Sequence, residues 1–177
     1  MSKRDFPTVD ELLDSIDLSF TNYKPSKDAL HFWNVMQLIK GAKCFSAGIP
    51  ILHYYFIDLV FGNVKREQLP YSEEINKRVA LKKNKLAILC SRGLSKSTTF
   101  SCFLVIYMAM FGRLPGLKRP GIGDKVNFVI GVGDSQEGGA KVMCNTLRDM
   151  IEESDLLQNY FEKVRCTDAE IELVRKG

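Results

Sequence analysis

Polar residues and turn formers dominate positions 2–27, where residues 9–16 alone carry the pattern of a short acidic helix. Over residues 28–43 the apolar positions Leu30, Trp33, Val35, Met36, Leu38 and Ile39 recur at helical spacing and predict a helix with a broad apolar face. Gly48-Ile49-Pro50 breaks that pattern. A second helix is predicted over 51–61, stopped by Gly62-Asn63, because glycine takes the left-handed conformation that closes a helix. Residues 64–83 are charged and weakly periodic, which predicts a surface helix or loop.

The spacing then changes. Residues 85–90 (KLAILC) form a short apolar run entering a turn, as a buried parallel strand does. Residues 96–111 are apolar nearly all round and predict a helix inside the core. Pro115, Gly116, Pro120, Gly121 and Gly123 mark 112–124 as a surface connection, followed by a second buried strand at 126–132. Asp134 and Glu137 have the spacing of a helix cap, and Ala140, Met143, Cys144, Leu147 and Ile151 share one face of the helix behind it. Partial alternation over 167–174 predicts a last strand. Strand, loop, helix, strand, helix, strand is the opening of an α/β fold, a parallel sheet flanked by helices. The expected organisation is an α-helical N-terminal segment, 1–49, ahead of an α/β unit over 50–177.

Composition narrows the class only a little. Hydrophobic residues make up 45% and charged residues 26% of the 177, enough apolar material for a core. The net charge of +4 is compatible with a nucleic-acid partner without arguing for one. Cys44, Cys90, Cys102, Cys144 and Cys166 have no metal-site spacing, and residues 1–7 are charged, so reduced thiols in a cytoplasm are expected. The longest apolar stretch, 100–111, is about half of the ~20 residues a membrane crossing needs, so no membrane partner is expected.

The candidate chemistry sits between the first strand and the core helix. Cys90-Ser91-Arg92-Gly93-Leu94-Ser95-Lys96-Ser97 approximates the phosphate-binding pattern GxxxxGKS/T, with Cys90 and Ser95 at the two glycine positions and Lys96 and Ser97 matching. Such a loop must turn tightly out of a strand and aim successive N–H groups at phosphate oxygens. It must also open a helix whose positive end faces them. Ser95 is the smallest replacement for glycine, Gly93 keeps one freely rotating residue, Lys96 supplies a point charge and Ser97 a hydroxyl for Mg2+. A serine-rich helix start with a solvated lysine is the competing structural reading. A Ser-Lys hydrolase dyad has no partner elements placed to support it.

Arg92-Gly93-Leu94-Ser95-Lys96-Ser97 resembles the deviant Walker A loop of large terminase subunits, the ATPases that package phage DNA. An arginine inside the loop is the specific feature of that resemblance. Upstream, Pro50-Ile51-Leu52-His53 with Ile57, Asp58 and Leu59 looks like the family's PxxH helix beside the adenine pocket. Downstream, residues 126–141 look like its second strand and Ser-Gln-Glu helix start, and 154–174 like its next helix end and strand. The resemblance covers roughly 50–177.

It implies ATP and Mg2+ as cofactors, bound by Ser91, Arg92, Gly93, Leu94, Ser95, Lys96, Ser97, Thr98 and His53. Lys96 would hold the β- and γ-phosphates, Ser97 would ligate Mg2+, and Arg92 would contact the γ-phosphate, making Arg92 and Lys96 the catalytic pair. His53, Tyr54 and Tyr55 occupy the adenine-reading region, with core packing the competing role for the two tyrosines. The implied partners are double-stranded DNA, the portal protein, the small terminase subunit and further copies in a homo-oligomeric ring. The implied place is the host cytoplasm and, transiently, the prohead portal.

The family's acidic strand-end motif, coupling motif and nuclease cluster have no counterpart after Val132. The expectation is therefore the front part of such an ATPase, incomplete at its C-terminus and inactive in isolation. A helicase-like P-loop ATPase fragment and a non-catalytic nucleotide-binding or interaction remnant stand beside it; Arg92 separates the first of these from a terminase. Lys77, Arg78, Lys82, Lys83 and Lys85 are candidate phosphate contacts or a solvated charged face.

Overall fold

The computed structural model describes residues 6–15, 23–79, 98–116, 123–127, 129, 139–167 and 170–176. Seven α-helices lie among them: α1 (Val9–Asp14), α2 (Lys27–Lys40), α3 (Ile51–Phe61), α4 (Glu73–Arg78), α5 (Leu104–Phe111), α6 (Lys141–Glu152) and α7 (Asp155–Tyr160). Two strands follow, β1 (Phe161–Cys166) and β2 (Ile171–Arg175). The fold thus combines helices with β-structure.

Local chemistry sets the helix ends. The Ser26 hydroxyl caps α2 by accepting from the Ala29 N–H at 3.1 Å, and Gly41 leaves the helix at φ +79°. α3 spans the residues its pattern predicts. Pro50 precedes it without needing a donor, and Gly62 closes it in the left-handed region, its N–H donating to the Asp58 and Leu59 carbonyls. A π-helical turn, Thr98–Phe103, leads into α5, which Gly112 ends at φ +63°.

α2 buries a different face from the one its leucines suggest. Ala29, Phe32, Trp33, Met36 and Ile39 point inward, while Leu30 and Leu38 stay 43% and 69% exposed. At 3.6 residues per turn only one stripe can meet α3, and those two leucines fall outside it. One buried cluster joins α2 to Ile57 and Phe61 of α3, Ile106 and Tyr107 of α5, Leu147 and Ile151 of α6, Leu157 of α7 and Phe161 of β1. The helical N-terminal segment therefore contributes to the same core as residues beyond 50.

The sheet is antiparallel. β1 and β2 pair with Val164 opposite Leu173 and Cys166 opposite Ile171. Thr167 closes the turn between them: its N–H donates to the Glu170 carbonyl at 2.8 Å, and its hydroxyl accepts from the Glu170 N–H at 3.0 Å. This corrects the single strand expected over 167–174. β1 follows α7 at once, and its interleaved Glu162, Lys163 and Arg165 hide the alternation in the sequence. The parallel sheet expected from 85–90 and 126–132 is not seen among the described residues. Residues 85–90, 128 and 130–132 lie outside them, and Val126, Asn127 and Val129 are in no strand. The Asp134–Glu137 cap also lies outside. No described helix is long and apolar enough to cross a membrane.

A short acidic helix forms at α1, held by Thr8 and by Arg78 of α4. The Arg78 guanidinium lies 2.8 Å from Glu11 Oε1 and donates to Oε2 at 3.2 Å. This bond, followed by those from Thr8, brings the Glu11 carboxyl down from its usual 4.5 to about 2. A depressed folded value means stability that is present above 4.5 and lost as pH falls toward about 2. The stability difference between wild type and Glu11→Gln is expected to vanish across that window, and to be small because both partners meet water. An acid titration of the two proteins checks it; a difference independent of pH contradicts it.

Candidate functional site

A cavity of about 370 Å³ opens where the C-terminal end of α2, the N-terminal end of α3 and the π-helical turn meet. Trp33 and Lys40 reach it from α2, Cys44, Phe45 and Gly48 from the connection, and Ile49, Pro50 and His53 from the start of α3. Thr98, Thr99 and Phe103 line it from the π-helical turn. The volume falls within the range of roughly 300–1,000 Å³ typical of small-molecule sites.

The sequence explains why these elements converge. Gly41 and Gly48 turn the chain through positive φ on either side of a 3-10 turn at Ala42–Phe45, which brings Pro50 back beside α2. Aromatic rings then set the walls. Trp33 packs edge-on to His53 at 5.8 Å and to Phe103 at 6.0 Å, and Phe45 stands 6.2 Å from Trp33.

Two of the predicted binding residues are described, His53 and Thr98, and both line this cavity. They are 45 positions apart in sequence. Ser91, Arg92, Gly93, Leu94, Ser95, Lys96 and Ser97 lie outside the described residues. Thr98 is exposed, and it begins the turn that follows the loop directly in sequence.

Of the three residues in the adenine-reading region, His53 faces the cavity. Tyr54 packs on Trp33 from another side, and burial raises its phenol. Tyr55 is buried in a second cluster with Phe56, edge-on to Tyr23, and burial raises its phenol as well.

Among the described lining residues Lys40 carries a charge, and its ammonium sits 3.1 Å from Glu153 at the end of α6. Trp33 Nε1 and Thr99 Oγ1, on lining residues 2% and 1% exposed, are buried from solvent and have no hydrogen-bond partner. Neither was singled out by sequence reasoning. Trp33 reads there as part of an apolar helix face, and Thr99 only as a position within the core helix predicted over 96–111. Only the three-dimensional junction of α2 with the turn joins them.

The described basic candidates are engaged locally. Lys77 pairs with Glu73 one turn away at 2.7 Å, and Arg78 holds Glu11. Lys82, Lys83 and Lys85 lie outside the described residues. Among the described residues no group of three or more His, Cys, Asp or Glu is arranged to hold a metal ion.

Comparison of the chain with protein-family models, with curated proteins and with solved structures finds no match.

Proposed function

We propose that this chain is the ATP-binding portion of a large terminase subunit, the motor that hydrolyses ATP to drive double-stranded phage DNA into a prohead. The observation that carries the reading is the shared cavity. His53 and Pro50 of the PxxH-like helix meet Thr98 and Thr99, the residues immediately after the phosphate-loop motif, around a space large enough for a small molecule. A base-sized space adjoining a phosphate-binding loop is what a nucleotide requires. A π-helical turn at that junction accords with the enrichment of such turns at functional sites.

In this reading residues 85–90 form a strand of a P-loop-type parallel sheet, and the loop 90–97 runs from it. Backbone N–H groups of Ser91, Gly93, Leu94 and Ser95 cradle phosphate oxygens, and the Lys96 ammonium neutralises the β- and γ-phosphates. Ser97 would hold Mg2+ through its hydroxyl, and the ion would supply neutralisation of phosphate charge. Arg92 places its guanidinium on the γ-phosphate, and His53 with Thr98 borders the rest of the nucleotide. The portal protein, the small terminase subunit, a homo-oligomeric ring and residence in the host cytoplasm with transient docking at the prohead portal follow from the terminase resemblance.

Arg92 carries the test of the family reading. In a generic phosphate loop this position is variable, and Arg92→Ala changes little. In a packaging motor its planar fork pairs with two γ-phosphate oxygens, which ADP lacks. At roughly 1.5–3 kcal/mol for a charge-assisted hydrogen bond, Arg92→Ala should weaken a non-hydrolysable ATP analogue about ten- to a hundredfold and leave ADP nearly unchanged. Paired calorimetric titrations of both variants read this. An equal loss for the two nucleotides removes Arg92 from the γ-phosphate and the terminase reading with it.

A further inference from the structure

Lys40 belongs to two places at once. It lines the cavity from the last turn of α2, and its ammonium sits 3.1 Å from Glu153, which is not among the lining residues. The Glu153 side chain is 68% exposed and that of Lys40 27%. An ion pair with one partner so far into water holds weakly, because solvent screens it and two long side chains must be ordered to keep it. Lysine is a compact charge on a flexible four-carbon stem, so its ammonium can change partner without any movement of the helix.

The walls around it select that other partner. Phe45, Ile49, Pro50 and Phe103 present apolar surface, so a ligand filling the space has an apolar body, and Lys40 suits an anionic group attached to it. Thr98, the residue next after the phosphate-loop motif, lines the same cavity. In the nucleotide reading Lys96 and Arg92 take the β- and γ-phosphates. That leaves the α-phosphate, which lies between them and the base, without a cationic side chain.

Resting on that reading, we propose that Lys40 binds the α-phosphate of the nucleotide and that Glu153 competes with the nucleotide for the same ammonium. Both residues stand outside the loop motif, and Lys40 stands outside the stretch that resembles the terminase ATPases. The pair ties the end of α2 to the end of α6 in the free chain and opens when nucleotide binds.

The two halves of the pair are tested against each other. Lys40→Met keeps the stem and removes the charge, whereas Glu153→Gln keeps the shape and frees the ammonium. The full chain with Mg2+ is titrated calorimetrically with ATP and with adenosine, which has no phosphate. Lys40→Met is expected to weaken ATP about tenfold, Glu153→Gln to tighten it about two- to fivefold, and neither to alter adenosine. The double variant should bind ATP as Lys40→Met does, because Glu153 acts only through Lys40. A pair that merely joins α2 to α6 would move both single variants in the same direction. Thermal melts accompany the titrations, and the gain in Glu153→Gln carries the test if Lys40→Met does not fold.

Unchanged ATP binding in the folded single variants, a loss shared equally by adenosine, or a gain from Glu153→Gln that persists in the double variant overturns the inference and leaves the nucleotide reading standing. Wild-type chain that binds neither ATP nor adenosine overturns the nucleotide reading and this inference together.

Discussion

Asp58→Ala should destabilise the folded chain by about 2–4 kcal/mol, without touching the candidate site. Asp58 lies on α3 and is 1% exposed. Its carboxylate gathers donors from the segment that starts α2: the Tyr23 hydroxyl and the Ser26 N–H, the latter at 2.9 Å, on Oδ2, and the Ser26 hydroxyl on Oδ1. The Asn63 side chain joins them, donating to Ser26 Oγ at 3.0 Å and to Asp28 at 2.9 Å. Burial, then the bond to Asp58, raises the Tyr23 phenol, so this group remains a donor throughout the ordinary pH range.

Alanine leaves all these donors facing a void, and the Ser26 cap of α2 loses its anchor. Partial exposure of Tyr23, Ser26 and Asn63 lets water recover some of the loss, which keeps the figure below that of a fully buried network. Asp58→Asn isolates the chemistry from the volume. It keeps the shape but turns an amine toward a donor, so it should recover less than half of the stability. Urea unfolding of the three proteins checks this. A loss for Asp58→Ala no larger than that of an ordinary surface substitution, about 0.5 kcal/mol, would mean that the network does not tie α2 to α3.

The network also shows what is legible in a sequence and what is not. α3 was readable to the residue because both its boundaries are chemical: a proline that needs no donor at one end and a glycine with positive φ at the other. α2 was readable as a helix, but its buried stripe was not, since Leu30 and Leu38 are as apolar as the residues that do meet α3. Which stripe is covered depends on the neighbour, and sequence spacing does not contain the neighbour. β1 escaped notice because three of its six residues are charged, and pairing with β2 rather than apolar alternation makes it a strand.

For the site, His53 was singled out through likeness to a motif and Thr98 through its place after the loop, and they do share a cavity. Trp33 and Thr99 were not singled out. Their distinguishing feature is the lack of a hydrogen-bond partner, which exists only once the chain is folded.

Lys96→Ala in the full chain, titrated with a fluorescent ATP analogue in the presence of Mg2+, tests most directly whether residues 90–97 bind nucleotide phosphates. A lysine in this position acts as a compact point charge between the β- and γ-phosphates, and no neighbouring residue of the loop except Arg92 carries a positive charge. Contacts to two charged oxygens, each worth roughly 1.5–3 kcal/mol, correspond to a loss of about a hundredfold or more. A thermal melt by circular dichroism accompanies the titration, so that lost binding is not confused with lost folding. The expected result is saturable binding by wild type, none measurable for Lys96→Ala at the same concentrations, and superimposable melts. Equal binding by the two proteins, with both folded, would contradict the assignment of this loop as a phosphate site.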